Sequence, residues 1–413
     1  MIATAFDSGF ALGHDTYNGM AAASDGAIYY VLCAESCEAG GQMYRYDPAS
    51  GRLDHVGDLT HACGETGCVS QSKSHVNFVE ADGKLWFATH TGFYQIIDGM
   101  EKMGVPLKGR RPYPGGHLLS YDLATRQFED YGIPVPGEGI LTMNMDSGRG
   151  RIYGITWPSG RVFRYEIISR STKDLGTYFE GGENGVGRDY RTICRSLAVD
   201  PRDGSVYFTR GEGTIFAYRY AADAVEQLDG APMRKDYFGV YDAASPGHMA
   251  YNWRQVVWVD SEQAFYGVHG NSGYLFRFDP RTGGIDVLER LTSEPSKRSG
   301  MFDQFSYGYL GFTLGPDGET LYYLTGGAIF VDGKRVAGKE STAKGESKGE
   351  ENLHLVTYRI PAGSYRDHGP IFFENGDRPA YVNSIAVSDN RVYTLSRVPA
   401  NAVRTDLVSM RLL

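Results

Sequence analysis

Residues 71–92, QSKSHVNFVEADGKLWFATHTG, read as a β-hairpin: one apolar segment, a turn at Asp82 and Gly83, and a second apolar segment centred on Trp86. Asp-Gly between two such runs is a strong hairpin signal, because both residues tolerate the positive φ that a tight turn needs. The same grammar returns along the chain. A second-strand aromatic recurs at Tyr29, Trp86, Tyr153, Tyr207, Tyr266, Tyr322 and Tyr393, spaced 54 to 71 residues apart. Third strands follow as MYRYDP, LLSYDL, VFRYEI, IFAYRY, LFRFDP, HLVTYRI and LVSMRL.

That spacing is one four-stranded blade plus its loops, so the reading is all-β: a seven-bladed β-propeller of antiparallel blades, with residues 1–413 as a single domain. The chain stops after LVSMRL, which leaves the seventh blade one strand short. IATAF at residues 2–6 is expected to supply it and remove the exposed sheet edges. Two insertions interrupt the repeat. Residues 333–352, GKRVAGKESTAKGESKGEEN, are too polar to pack, whereas the loop from Gln95 to Pro114 is expected to reach over a face of the disc.

Of the 413 residues, 41% are hydrophobic and 13% aromatic, enough for a large core. A net charge of −9, from 41 basic and 50 acidic side chains, provides no general cationic field, so nucleic acid is not an expected partner. No apolar run is long enough to cross a bilayer, which argues against a membrane. The start MIATAFDSGFALGHD lacks signal-peptide features: the protein is expected in the cytoplasm, or secreted or periplasmic if a signal peptide has been removed. Cys33, Cys37, Cys63 and Cys68 offer two disulfides, thiols, or a structural metal ion, and Cys194 reads as a buried thiol. No cofactor is otherwise required.

In a propeller the first strand of each blade lines the central channel, so equivalent positions from different blades converge. Counting back from the second-strand aromatics gives Tyr17 with Asn18, His75, Leu141, Arg195, Arg254, Tyr309 and Asn383. The second-strand ends give Cys33, His90, Trp157, Arg210, His269 and Arg397. Arginines in a narrow channel need anionic partners, which an acidic ligand would provide. His75 and His90 sit on adjacent strands of one hairpin and can meet, one as neutral base beside a polarising group. The remaining histidines, including His117, read as structural, and Asp25, Asp82 and Asp317 as turn formers.

The segment at 71–92, with GGHLLSYDL at 115–123 and RIYGITWPSGRVFRYEI at 151–167, resembles the seven-bladed propeller polysaccharide lyases, which include ulvan lyases and rhamnose-glucuronate lyases. The resemblance implies β-elimination at a uronic acid, with His75 and His90 as the histidine pair. The family's tyrosine and arginine are similar in placement to Leu141 and Trp157, a departure from the pattern. The expectation is therefore a carbon-oxygen lyase acting on an acidic poly- or oligosaccharide, with His75, His90, Arg195 and Arg254 catalytic. Tyr17, Asn18, Trp157, Tyr309, His269 and Arg210 would bind substrate. A propeller glycoside hydrolase and a non-catalytic binding or interaction propeller are the alternatives. A metal-dependent hydrolase ranks last, because the channel positions are poor in carboxylates.

Overall fold

The computed structural model describes residues 1–299 and 311–412, apart from 15–16, 98–99, 230–232, 235–237, 245–248, 271, 329, 333, 336–350, 380–381, 383 and 400–403. Tyr309, Asn383 and most of the charged insertion lie outside the described residues. Seven antiparallel four-stranded sheets follow one another along the chain. Blade two is built from Val79–Ala81, Lys84–Ala88, Leu118–Asp122 and Phe128–Asp130, in that order from the channel outward.

The N-terminal strand Ile2–Ala5 closes the ring as expected. Ala3, Thr4 and Ala5 pair with Met410, Ser409 and Val408 of the last strand. One addition was not legible in the repeat: Phe372–Phe373 pairs in parallel with the outer side of Ile2–Ala5, covering an edge that would otherwise face solvent.

The recurring aromatics hold the blades together. Tyr29, Trp86, Tyr153, Tyr207, Tyr266 and Tyr393 are all buried. Several of them meet a third-strand aromatic of the neighbouring blade in tilted or edge-on contact: Tyr29 with Tyr121 at 5.7 Å, Tyr153 with Tyr218 at 5.3 Å, Tyr207 with Phe278 at 5.2 Å and Tyr393 with Tyr46 at 6.1 Å. Two of these hydroxyls donate to carboxylates, Tyr29 to Asp25 at 2.9 Å and Tyr218 to Asp223 at 2.7 Å. Tyr322 is the exception; it is half-buried over Gly315, beside a fully buried Tyr323.

All five cysteines are buried thiols, so of the three readings open to Cys33, Cys37, Cys63 and Cys68 the disulfides are not formed. Among the described residues, no helix is long and apolar enough to cross a membrane.

His117 is structural, as expected, through an ion pair on each side of its ring. Nδ1 lies 3.0 Å from Asp130 and Nε2 2.9 Å from Glu65. Burial opposes its charge, but Asp130, Cys63 and Glu65 outweigh that and push its pKa up to about 12. A raised histidine pKa stabilises the fold fully below the unfolded value and loses that contribution as pH rises towards the folded one. His117→Gln strands two carboxylates and is expected to cost about 3 kcal/mol. The melting-temperature gap to wild type should be widest near about pH 6 and narrow towards about pH 10; a gap that widens with pH would contradict the protonated assignment.

Candidate functional site

The starts of the inner strands and the ends of the second strands open on one rim. There Tyr17, His75, His90, Leu141, Trp157, Arg195 and Arg254 line a single recess, together with Tyr94, Glu101 and Glu183. The register thus brought together residues from blades one to five. Beside the recess, Lys73 and His90 bridge in antiparallel fashion, with N–H to O distances of 3.0 and 2.7 Å in the two directions. That bridge sets the His75 and His90 rings 5.6 Å apart. Tyr17 stacks on His75 at 4.1 Å, and Trp157 lies 5.6 Å from His90.

Backbone carbonyls decide the histidine tautomers, since a carbonyl can only accept. His75 Nδ1 is 2.7 Å from Leu141 O, and His90 Nδ1 is 2.6 Å from Thr91 O. Each Nδ1 therefore carries the proton, and in the neutral ring Nε2 carries the lone pair. Burial, then the charges of His90, Arg195, Lys73 and Arg254, hold the His75 pKa well below the usual imidazole range. His75 is a neutral acceptor. Its contact to residue 141 uses only the main chain, so a leucine there is compatible with the site.

Arg195 is 6% exposed and Arg254 2%. Arg195 Nη2 lies 2.6 Å from Glu183 Oε1, and its Nη1 donates to Ile193 O at 2.8 Å. Glu183 is itself fully engaged, accepting from Ile193 N and from the Trp157 indole, both at 3.1 Å. Arg254 Nη1 lies 3.1 Å from Met249 Sδ. One arginine is thus clamped by a buried carboxylate, and both face the recess.

Sequence reasoning missed Lys73, Tyr94, Glu101 and Glu183. Lys73 is 1% exposed, with Nζ 3.3 Å from Tyr94 Oη and 4.3 Å above the Tyr17 ring. Its signal was present: in SKSH, Lys73 and His75 are two apart and share a strand face. Glu101 comes from the loop expected to reach over the disc, and Tyr94 immediately precedes it. That loop has structure of its own, a hairpin of Tyr94–Ile97 with Met100–Met103. Lys102 Nζ pins it, donating to Glu183 O at 2.8 Å and Gly185 O at 3.0 Å. Tyr94 Oη donates to Thr91 O at 2.7 Å and lies 3.4 Å from His90 Nδ1.

Three expected ligand-binding residues are elsewhere. Asn18 is buried in an amide network across the channel, accepting from Gln255 at 3.0 Å, while Gln255 accepts from Asn77 at 3.3 Å. It spans blades one, two and five because short amides can satisfy each other where inner strands converge. Arg210 is held by Glu212 at 2.8 Å. His269 is fully buried against Phe238, ring to ring at 4.3 Å.

Gly139 passes so close to His90 that an added Cβ would stand 2.8 to 2.9 Å from ring atoms. Gly139→Ala should displace the imidazole and cost about 1 to 3 kcal/mol in overpacking. The check is the His90 ring signals in NMR, which should move while those of His117 stay; unmoved His90 signals would refute the contact.

The chain matches no protein-family model and no curated protein. Among solved structures it is similar to a chain of the mitotic checkpoint complex, at 9% identity and TM-score 0.53, covering 100% of this chain and 94% of that one. Virginiamycin B lyase from Staphylococcus aureus gives 12% identity and TM-score 0.45, covering 80% and 83%. The extracellular domain of a putative one-component system from B. thetaiotaomicron gives 12% and 0.45, covering 96% and 40%. At such identities the likeness concerns the fold alone.

Proposed function

We propose that the recess binds a uronic acid unit of an acidic poly- or oligosaccharide and cleaves beside it by β-elimination. The observation that carries this reading is two buried arginines and two histidines with Nδ1 tied back, all facing one recess. Arg254 and Arg195 would neutralise the carboxylate and thereby acidify the C5 proton. His90 Nε2 takes that proton. The C5 electron pair forms the C4–C5 double bond, the C4–O glycosidic bond breaks, and the leaving oxygen takes a proton from Tyr94 Oη. Both groups then re-equilibrate with water, so the step has no net redox change.

The missing blade-three tyrosine of the lyase pattern has its counterpart in Tyr94. The N–H of neutral His75 is fixed in the ring plane on Leu141 O, whereas the Tyr94 hydroxyl can rotate its proton from Thr91 O to the leaving oxygen, so the acid is Tyr94. Lys73 beside Tyr94 Oη favours the phenolate that proton donation leaves behind. Tyr17 and Trp157 offer ring faces for the sugar.

Glu101 and Glu183 also line the recess, which keeps a two-carboxylate hydrolase as the second reading. Glu183 fits that role poorly because both its oxygens are engaged. A non-catalytic binder would have its arginines paired internally and no open site; the Arg195–Glu183 pair meets the first condition and the recess fails the second.

Incubation with uronate-containing polysaccharides should give the ultraviolet absorbance of an unsaturated uronate. New reducing ends without that absorbance would transfer the assignment to hydrolysis. His90→Ala and Tyr94→Phe should each lower kcat by about 10² to 10⁴; an undiminished rate in either removes that residue from the step.

A further inference from the structure

A second, larger recess of about 870 Å³ opens beside blade four, lined among others by Arg188, Arg191, Arg234, Tyr241 and Tyr251. It adjoins the first through one loop. Glu183 of the first recess and Arg188 and Arg191 of the second lie on the same short segment, and Arg191 N donates to Gly182 O at 2.9 Å. Arg191 and Arg195, one in each recess, are four residues apart, so their Cα atoms are at most about 14 Å from each other.

The charges of this second recess are unequally committed. Arg191 is held by Glu180 at 2.7 Å and Glu212 at 3.0 Å, and Glu212 also holds Arg210. Arg188 and Arg234 are exposed, and among the described residues neither has a carboxylate in ion-pair range. Arg234 lies over the Tyr251 ring at 5.2 Å, which orients its guanidinium beside an aromatic face. Tyr241 meets Tyr251 edge-on at 5.5 Å. Behind them stands His269, fully buried, 5.5 Å from the Tyr241 ring, with no hydrogen-bond partner at Nε2 among the described residues. Arg210 and His269, which the register singled out and the first recess does not use, each stand behind a residue that lines the second, Glu212 and Tyr241.

Flat aromatic faces beside available guanidinium groups suit a sugar ring that carries a carboxylate or sulfate. We infer that this recess is a distal subsite for a second acidic unit of the same glycan, with Arg188 and Arg234 as its anion-binding side chains. This rests on the reading of the first recess as a uronate site. It makes the preferred ligand an oligosaccharide with at least two anionic units, one per recess.

The test is calorimetric titration of glucuronate, and of glucuronate oligosaccharides of increasing length, into His90→Ala protein with and without Arg188→Ala and Arg234→Ala. Losing a charge-assisted contact should weaken binding of the longer oligosaccharides about tenfold or more. The affinity for monomeric glucuronate should be the same in both proteins, and the loss should shrink at high salt. Equal weakening at every length, or none, overturns the subsite. If even the longest oligosaccharide fails to bind, the subsite and the uronate reading of the first recess fall together. Length-dependent weakening without any unsaturated product from wild type leaves the subsite standing and removes only the elimination step.

Discussion

Contact between the recurring second-strand aromatic of one blade and the third-strand aromatic of the next is the interaction on which the rest of this molecule depends. A four-stranded blade is apolar on both faces and cannot satisfy either alone. Pairs such as Tyr153 with Tyr218 and Tyr207 with Phe278 bury those faces against each other. Each contributes about 0.5 to 1.5 kcal/mol beyond the area it removes from water. Because the contact at one interface sets the position of the next blade, the ring must close on itself. Ile2–Ala5 does this by pairing with the last strand, so the two ends of the chain share one sheet.

Ring closure has an electrostatic consequence. It drives inner-strand starts from several blades to one point, including side chains that no isolated sheet would bury together. His75, Lys73, Arg195 and Arg254 are all nearly inaccessible to water there. Crowding of cations keeps His75 neutral, and Glu183 offsets one of the arginines. Main-chain carbonyls at Leu141 and Thr91 hold both imidazoles in the same tautomer. The hairpin at 94–103 then adds a second phenol, Tyr94, and a second carboxylate, Glu101, to the recess.

Much of the candidate site was legible because a propeller converts sequence register into spatial convergence. Tyr17, His75, His90, Trp157, Arg195 and Arg254 could be placed together by counting from aromatics. The count could not say which way a side chain at the rim would turn. Asn18 satisfies another amide across the channel, Arg210 is drawn to Glu212, and His269 is absorbed by an aromatic cluster. Tyr94 and Glu183 escaped because they belong to connections between strands, where no repeat constrains position.

The sequence by itself determined the blade count, the strand order within each blade, the closing strand and the meeting of His75 with His90. Those follow from local alternation, turn residues and repeat spacing, all of which are properties of short segments. Only the tertiary structure decided the tautomers, the neutrality of His75, the Arg195–Glu183 pair and the approach of Lys73 to Tyr94. Each of these depends on distances of a few ångströms between residues far apart in the chain, and on how completely their neighbours exclude water.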